Sequence, residues 1–197
     1  MRKNSILYLL STLLLLACSP RDFLTRRLAT DLISASDSLK EPQHFLLQTG
    51  VVSNHDYPSP EYLVLQHHGW ITANPSPCAP GMTPPPCWDI LLTPSGVETV
   101  RTLLPGDVDH PSFSIPVARR ELVGVTGIAR QGSVADVEFT WRWTPLNEFG
   151  AALYSSDLQY RSTVGFRQFD DGWRLMQSAT RSGQSIDDAL KNAEPAP

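Results

Sequence analysis

No Lys or Arg stands between Glu41 and Val100, where the only imidazoles are His44, His55, His67 and His68. Phosphate neutralisation supplies most of the affinity of nucleic-acid binders, so this gap argues against nucleic acid as a partner. Apolar runs are scarce as well. The one long uncharged run, Ile6 to Leu16, is too short for a bilayer-crossing helix, which needs about 20 residues. Metal motifs are missing: there is no H-x-x-x-H or H-E-x-x-H, and neighbours such as His67 and His68 on a helix point about 100° apart. The best local cluster of ligand types, Asp107, Asp109 and His110, reads as a solvated loop. Nor is there a G-x-S-x-G elbow for a nucleophile. Gly132-Ser133 and Ser182-Gly183 have no base close in sequence, and Asp170-Asp171 sits in a turn where solvent keeps carboxylates ordinary. The expectation is no catalytic residue, no metal and no cofactor.

Cysteine is rare too, with three in 197 residues. The first, Cys18, closes a recognisable segment. Arg2 and Lys3 supply a basic start, Ile6 to Leu16 an apolar core, and Ala17 a small residue before the cysteine, the pattern of a secretory signal over residues 1–17. Leu15-Leu16-Ala17-Cys18 resembles the lipobox of bacterial lipoproteins, which implies a diacylglycerol on Cys18 and a mature chain that begins there. Several acyl chains anchor a protein stably where one holds it only marginally. Ser19, not Asp, follows the cysteine, and the resemblance then implies the outer membrane, facing the periplasm. An ordinary signal peptide with a nearby Cys is the alternative.

Without Arg2 and Lys3, 14 basic side chains face 20 acidic ones, a formal charge of −6 instead of −4. Such a surface is soluble and mildly repels phosphate backbones and anionic lipid. Cys78 and Cys87, an isolated pair in an exported chain, read as a disulfide. The segment between them, Ala-Pro-Gly-Met-Thr-Pro-Pro-Pro, excludes helix and central strand. A metal or redox pair is the alternative, although the spacing fits neither C-x-x-C nor a zinc knuckle.

Periodicity predicts a helix from Ser19-Pro20 to about Leu39, carried by Leu24, Leu28, Leu32 and Ile33, then a strand over Phe45 to Val52. A second helix starts at Pro58 to Glu61 and stops at Gly69. Trp88 to Leu92 reads as a strand, and Ser95 to Glu98 as a capping box for a helix ending at Leu104. Val108 to Pro116 reads as a linker or loop. Beyond it the pattern turns to β: Val117 to Ala129 broken or bulged at Gly124 or Gly127, Val134 to Trp143, Leu158 to Phe169, and Trp173 to Ser178 after an Asp-Gly turn. A short helix falls within Pro145 to Leu153. The tail after Ser182 reads as frayed apart from one helical turn near Ile186 to Leu190.

Two resemblances follow. Helix Tyr62 to Gln66, turn His68 to Thr72 and return Trp88 to Gly96 resemble the winged-helix family, over roughly Arg21 to Leu104. That family binds DNA through basic helices and wings; the missing cations and the export signal leave the fold as the implication and remove the role. The C-terminal strands, ending in Asp171-Gly172-Trp173-Arg174, are similar to the curved sheets of cystatin-like domains. That likeness implies a concave face and a candidate pocket.

The densest aromatic set is Trp141, Trp143 and Trp173 with Phe139, Tyr160 and Phe166. It serves either as the buried face of a sheet or as the lining of a lipid, glycan or peptide pocket. In the second case Arg142, Arg161, Arg167 or Arg174 would grip an anionic group; Trp141, Trp143, Trp173, Arg142 and Arg174 are the candidates. The sequence thus predicts an α+β chain: signal peptide 1–17, a helical, winged-helix-like region 18–105 with a disulfide loop, an antiparallel sheet 106–182 and a tail 183–197. The expected function is a non-catalytic, lipid-anchored envelope protein with the membrane and an envelope protein as partners. The alternatives are a ligand carrier with a Trp-lined pocket and a hydrolase whose site is assembled from distant residues.

Overall fold

A computed structural model describes residues 23–54, 57, 59–82, 85–104, 111–178 and 183–196. The signal segment, Cys18, and the Asp107, Asp109 and His110 cluster lie outside them. Of the described residues, 45% are strand and 27% helix. The expected helical, winged-helix-like N-terminal half is therefore wrong. Between Gln43 and Leu92 the chain builds four strands around one short helix. A short apolar run such as Ile71-Thr72 carries too few residues for periodicity to assign, and strand pairing decides it.

Six helices and nine strands are described: α1 (Arg26–Ser34), α2 (Asp37–Lys40), β1 (Gln43–Gln48), β2 (Gly50–Ser53), α3 (Pro60–His67), β3 (Ile71–Ser76), β4 (Cys87–Leu92), α4 (Pro94–Leu103), β5 (Ser112–Gln131), β6 (Val134–Pro145), α5 (Glu148–Leu153), β7 (Gln159–Phe169), β8 (Gly172–Leu175), α6 (Ile186–Lys191) and β9 (Glu194–Pro195). One antiparallel sheet runs β1-β5-β6-β7-β8, with β9 also on β7; a second has the order β2-β4-β3.

Several boundaries differ from the sequence reading, each for a local reason. The predicted first helix is two: Ser36 turns its hydroxyl back to the Ile33 carbonyl at 2.6 Å, a bond that competes with continued helix. The predicted Phe45–Val52 strand breaks before Gly50, whose φ of 79° interrupts a ladder, so β1 joins the large sheet and β2 the small one. The cap of α4 is Thr93, not Ser95, with Pro94 in the first turn. Ser112 to Pro116, read as linker, is the start of β5 and pairs with β1; β5 runs on as one strand of 20 residues. The tail is not frayed, because Glu194 and Pro195 pair with Arg161 and Tyr160.

Contacts divide the described residues into a mid-chain unit, those within 39–121 and 142–159, and an end-joining unit, those within 23–38, 122–141 and 160–196. The mid-chain unit has a core of Leu47, Val52, Tyr57, Tyr62, Leu65, Trp70, Ile71, Ile90, Val100, Phe113, Ile115, Val117 and Phe149. In it β2, β4 and β3 place Ser53 and Ser76 opposite Cys87. Cys78, two residues past Ser76, is bonded to Cys87, so the disulfide closes the proline-rich connection of the β3–β4 hairpin. Trp70 packs edge-on against Phe149, with ring centroids 4.5 Å apart.

The end-joining unit buries Ala29 and Ile33 of α1, Val137, Phe139 and Trp141 of β6, Val164 and Phe166 of β7, Trp173 of β8, and Ile186, Ala189 and Leu190 of α6. The alternation along β6 puts apolar side chains inward at every second position. Thr25 caps α1, its hydroxyl accepting from the Leu28 amide at 3.1 Å, and Ser185 caps α6 in the same way at Asp188.

Candidate functional site

The structure separates the expected aromatic site. Trp141 and Trp173 are core residues of the end-joining unit, 2% and 4% exposed. Trp141 stacks on Tyr160 at 4.8 Å, and its indole N–H donates to the Ser162 hydroxyl at 3.0 Å. Trp143, half-buried, belongs to the mid-chain unit, where Arg120 lies 4.7 Å over its ring and Tyr154 packs at 4.8 Å. Burial raises the Tyr154 pKa, with the Glu61 charge adding to the effect. His68 lies flat against Trp70 at 4.9 Å. Among the described residues, no three His, Cys, Asp or Glu side chains gather to hold a metal.

The candidate arginines have local partners. Arg142 pairs with Glu121 at 3.1 Å. The same carboxylate accepts from the Thr144 hydroxyl at 2.8 Å, and the hydrogen bonds from Thr144 and then Arg142 lower its pKa. Arg161 reaches Glu194 at 3.4 Å. Arg174 pairs with Asp171 and lies 4.8 Å over the Phe169 ring, with Arg167 5.7 Å from the same ring.

The end-joining unit has a polar cavity of about 330 Å³, bordered by Glu138, Arg161, Ser162, Gln184, Asn192 and Glu194 among others. None of the three tryptophans lines it. Arg161 is the one residue of the sequence reading that it gathers. Glu138 and Ser162 are not marked by the sequence, where they read only as members of alternating strands. Hydroxyl, amide and paired charge suit this cavity to hydrogen bonding with a small polar molecule.

The strongest convergence is at the hairpin turns of the same unit. Arg130 donates to the Gly132 carbonyl at 3.0 Å and to the Gln168 side-chain oxygen at 3.0 Å. Its guanidinium lies 5.0 Å from the Trp173 ring centre and 5.9 Å from that of Phe23. The Gln168 amide donates to the Ser133 carbonyl at 2.8 Å, which ties the β5–β6 turn to β7. Sequence spacing did not mark Arg130, because its partners come from three distant segments.

Comparison with family models, curated proteins and solved structures found no match. Function therefore rests on the residues themselves. What they offer is a disulfide-closed hairpin, a polar cavity and a set of arginines laid over aromatic rings. Arginine so placed can grip phosphate or carboxylate through its planar fork while its flat face remains on the ring.

Proposed function

We propose that this chain is an exported lipoprotein, held at the envelope by a lipid on Cys18 and acting there by contact with a protein or ligand rather than by turnover. The observation that carries the reading is the bond between Cys78 and Cys87. Structural disulfides belong to oxidising compartments, and with these two cysteines paired, Cys18 is the thiol left for modification. Its place at the end of an apolar run, after Leu15-Leu16-Ala17, is what a lipid-transfer enzyme would read. Ser19 after it favours the periplasmic face of the outer membrane. The acidic mature chain fits a soluble body on a lipid tether.

Mass spectrometry of the N-terminal peptide from the full chain expressed in a bacterium tests the anchor. The expected product begins at Cys18 and carries a diacylglycerol thioether. A chain that retains residues 1–17, or begins near Cys18 with a free thiol, overturns it. Sustained turnover of an envelope ester, peptide or glycan by the purified protein would overturn the second half of the reading.

A further inference from the structure

Phe23 is 54% exposed and Phe169 42%, large apolar rings left in solvent in one unit. Both are attended by arginine: Arg130 at Phe23, and Arg167 and Arg174 at Phe169. The register places Arg167 directly opposite Arg174 across β7 and β8. Like charges facing each other in a sheet disfavour folding, and Asp171, paired to Arg174 alone, offsets only part of this. A phosphate between the two guanidiniums would remove the conflict, since each presents a fork matched to phosphate oxygens. Asp170 and Asp171 in the turn are the carboxylates that a negative surface would have to tolerate.

The tether supplies the occupant. Five residues lead from Cys18 to Phe23, and a chain advances at most about 3.6 Å per residue. A lipid on Cys18 therefore keeps Phe23 within about 18 Å of the lipid-bearing residue's α-carbon. Phe23 is joined through Arg130 to the β5–β6 turn, and that turn to β7 through Gln168. Because the Gln168–Trp173 pair that Arg130 meets alternates with the Arg167–Arg174 pair, the two arginine–aromatic sets flank opposite faces of the β7–β8 hairpin beside its tip. Arginine beside exposed aromatic rings is the composition that settles at a bilayer interface, the rings at headgroup depth and the cations on lipid phosphate.

We infer that the hairpin turns of the end-joining unit form a second membrane contact, in which Arg130, Arg167 and Arg174 bind anionic phospholipid headgroups and Phe23 and Phe169 enter the interface. This rests on the lipid-anchor reading, because the tether brings the patch to the bilayer.

The test uses the full chain purified from bacterial membranes and reconstituted in vesicles of phosphatidylcholine alone or mixed with phosphatidylglycerol. Mass spectrometry reads the lipid on Cys18, and hydrogen exchange reads the peptides covering 130–134 and 167–174. With the lipid present, amides in both peptides should exchange about fivefold more slowly on the anionic vesicles. The slowing should vanish in high salt and in an Arg167→Gln/Arg174→Gln variant whose melting temperature is unchanged or higher. Lipid present with equal exchange on both vesicles overturns this inference alone. Cys18 without lipid overturns the anchor, and this inference with it.

Discussion

The carbonyl oxygen of Val117 stands 1.7 Å from the point that a β-carbon would occupy on Gly150. Gly96 meets the Trp70 carbonyl in the same way, at 2.0 Å. Each glycine is the third residue of a helix, its amide held by the cap side chain, Asn147 at 2.9 Å or Thr93 at 3.1 Å. The cap pins the helix start against a backbone carbonyl, so neither partner can retreat from a methyl group.

Gly150→Ala and Gly96→Ala should accordingly each lose about 3 kcal/mol, the upper end of ordinary overpacking. Gly124→Ala, where nothing lies within 4 Å of the added carbon, should stay within about 0.5 kcal/mol of the parent. Urea unfolding of the three variants checks this; equal midpoints would show that the close approach has no energetic weight.

Opening the Cys78–Cys87 bond frees a loop of sequence separation 9. Loop entropy assigns it about 2–3 kcal/mol, or a melting temperature lowered by roughly 4–12 °C in a chain of this size. Calorimetry with and without reductant, alongside a Cys78→Ser/Cys87→Ser variant, reads the shift. An unchanged melting temperature would mean that the hairpin holds its own connection closed.

Trp141 is judged by its partner. Trp141→Ala should cost about 3–5 kcal/mol. Trp141→Phe strips the indole donor from Ser162, buried at 5% exposure, and should cost about 1–3 kcal/mol. Adding Ser162→Ala to Trp141→Phe should then cost less than Ser162→Ala alone. Additive losses in this double-mutant cycle would exclude coupling between the pair.

Glu121 gives a pH dependence with a definite sign. Its folded pKa is lowered, first by the Thr144 hydroxyl and then by Arg142. The folded protein thus holds fewer protons than the unfolded chain in the window below the ordinary carboxylate range. The stability it adds is present above the unfolded pKa and is lost as pH falls through the folded one. NMR titration of the Glu121 carboxyl should show a midpoint below that of a free glutamate. Thr144→Val and Arg142→Gln should each raise it. A midpoint indifferent to Thr144 would contradict the assigned cause.

Legibility in the sequence followed the range of the interactions. Strands β6 and β7, the Asp171-Gly172 turn and helix α3 were readable because alternation, turn residues and capping act within a few positions. The Cys78–Cys87 bond was readable because few pairings were open. In the first half β4 was legible and β1 and β2 were read as one strand, but β3 was not seen, nor that β1 joins the large sheet, since β1 is placed by its pairing with residues 112–118, about 70 positions away. Arg130 was hidden for the same reason: Phe23, Gln168 and Trp173 come together only in three dimensions. The tryptophans were found, but period-2 spacing alone does not separate a wall of a pocket from the middle of a core.

The end-joining unit is made from the beginning and the end of the chain. Ser38 donates to Asp187 across 149 positions, and Arg26 to the Thr126 carbonyl across 100. A chain delivered from its N-terminus can complete the mid-chain unit once Gln159 has emerged. The other unit must wait for β9. Helix α1 must wait for β8, the strand it contacts, and Ser38 for Asp187, so the described segment nearest Cys18 finds its partners late. Non-local closure of this kind is intrinsically slow, and a truncation that removes Glu194 and Pro195 would be felt at the opposite end of the sequence.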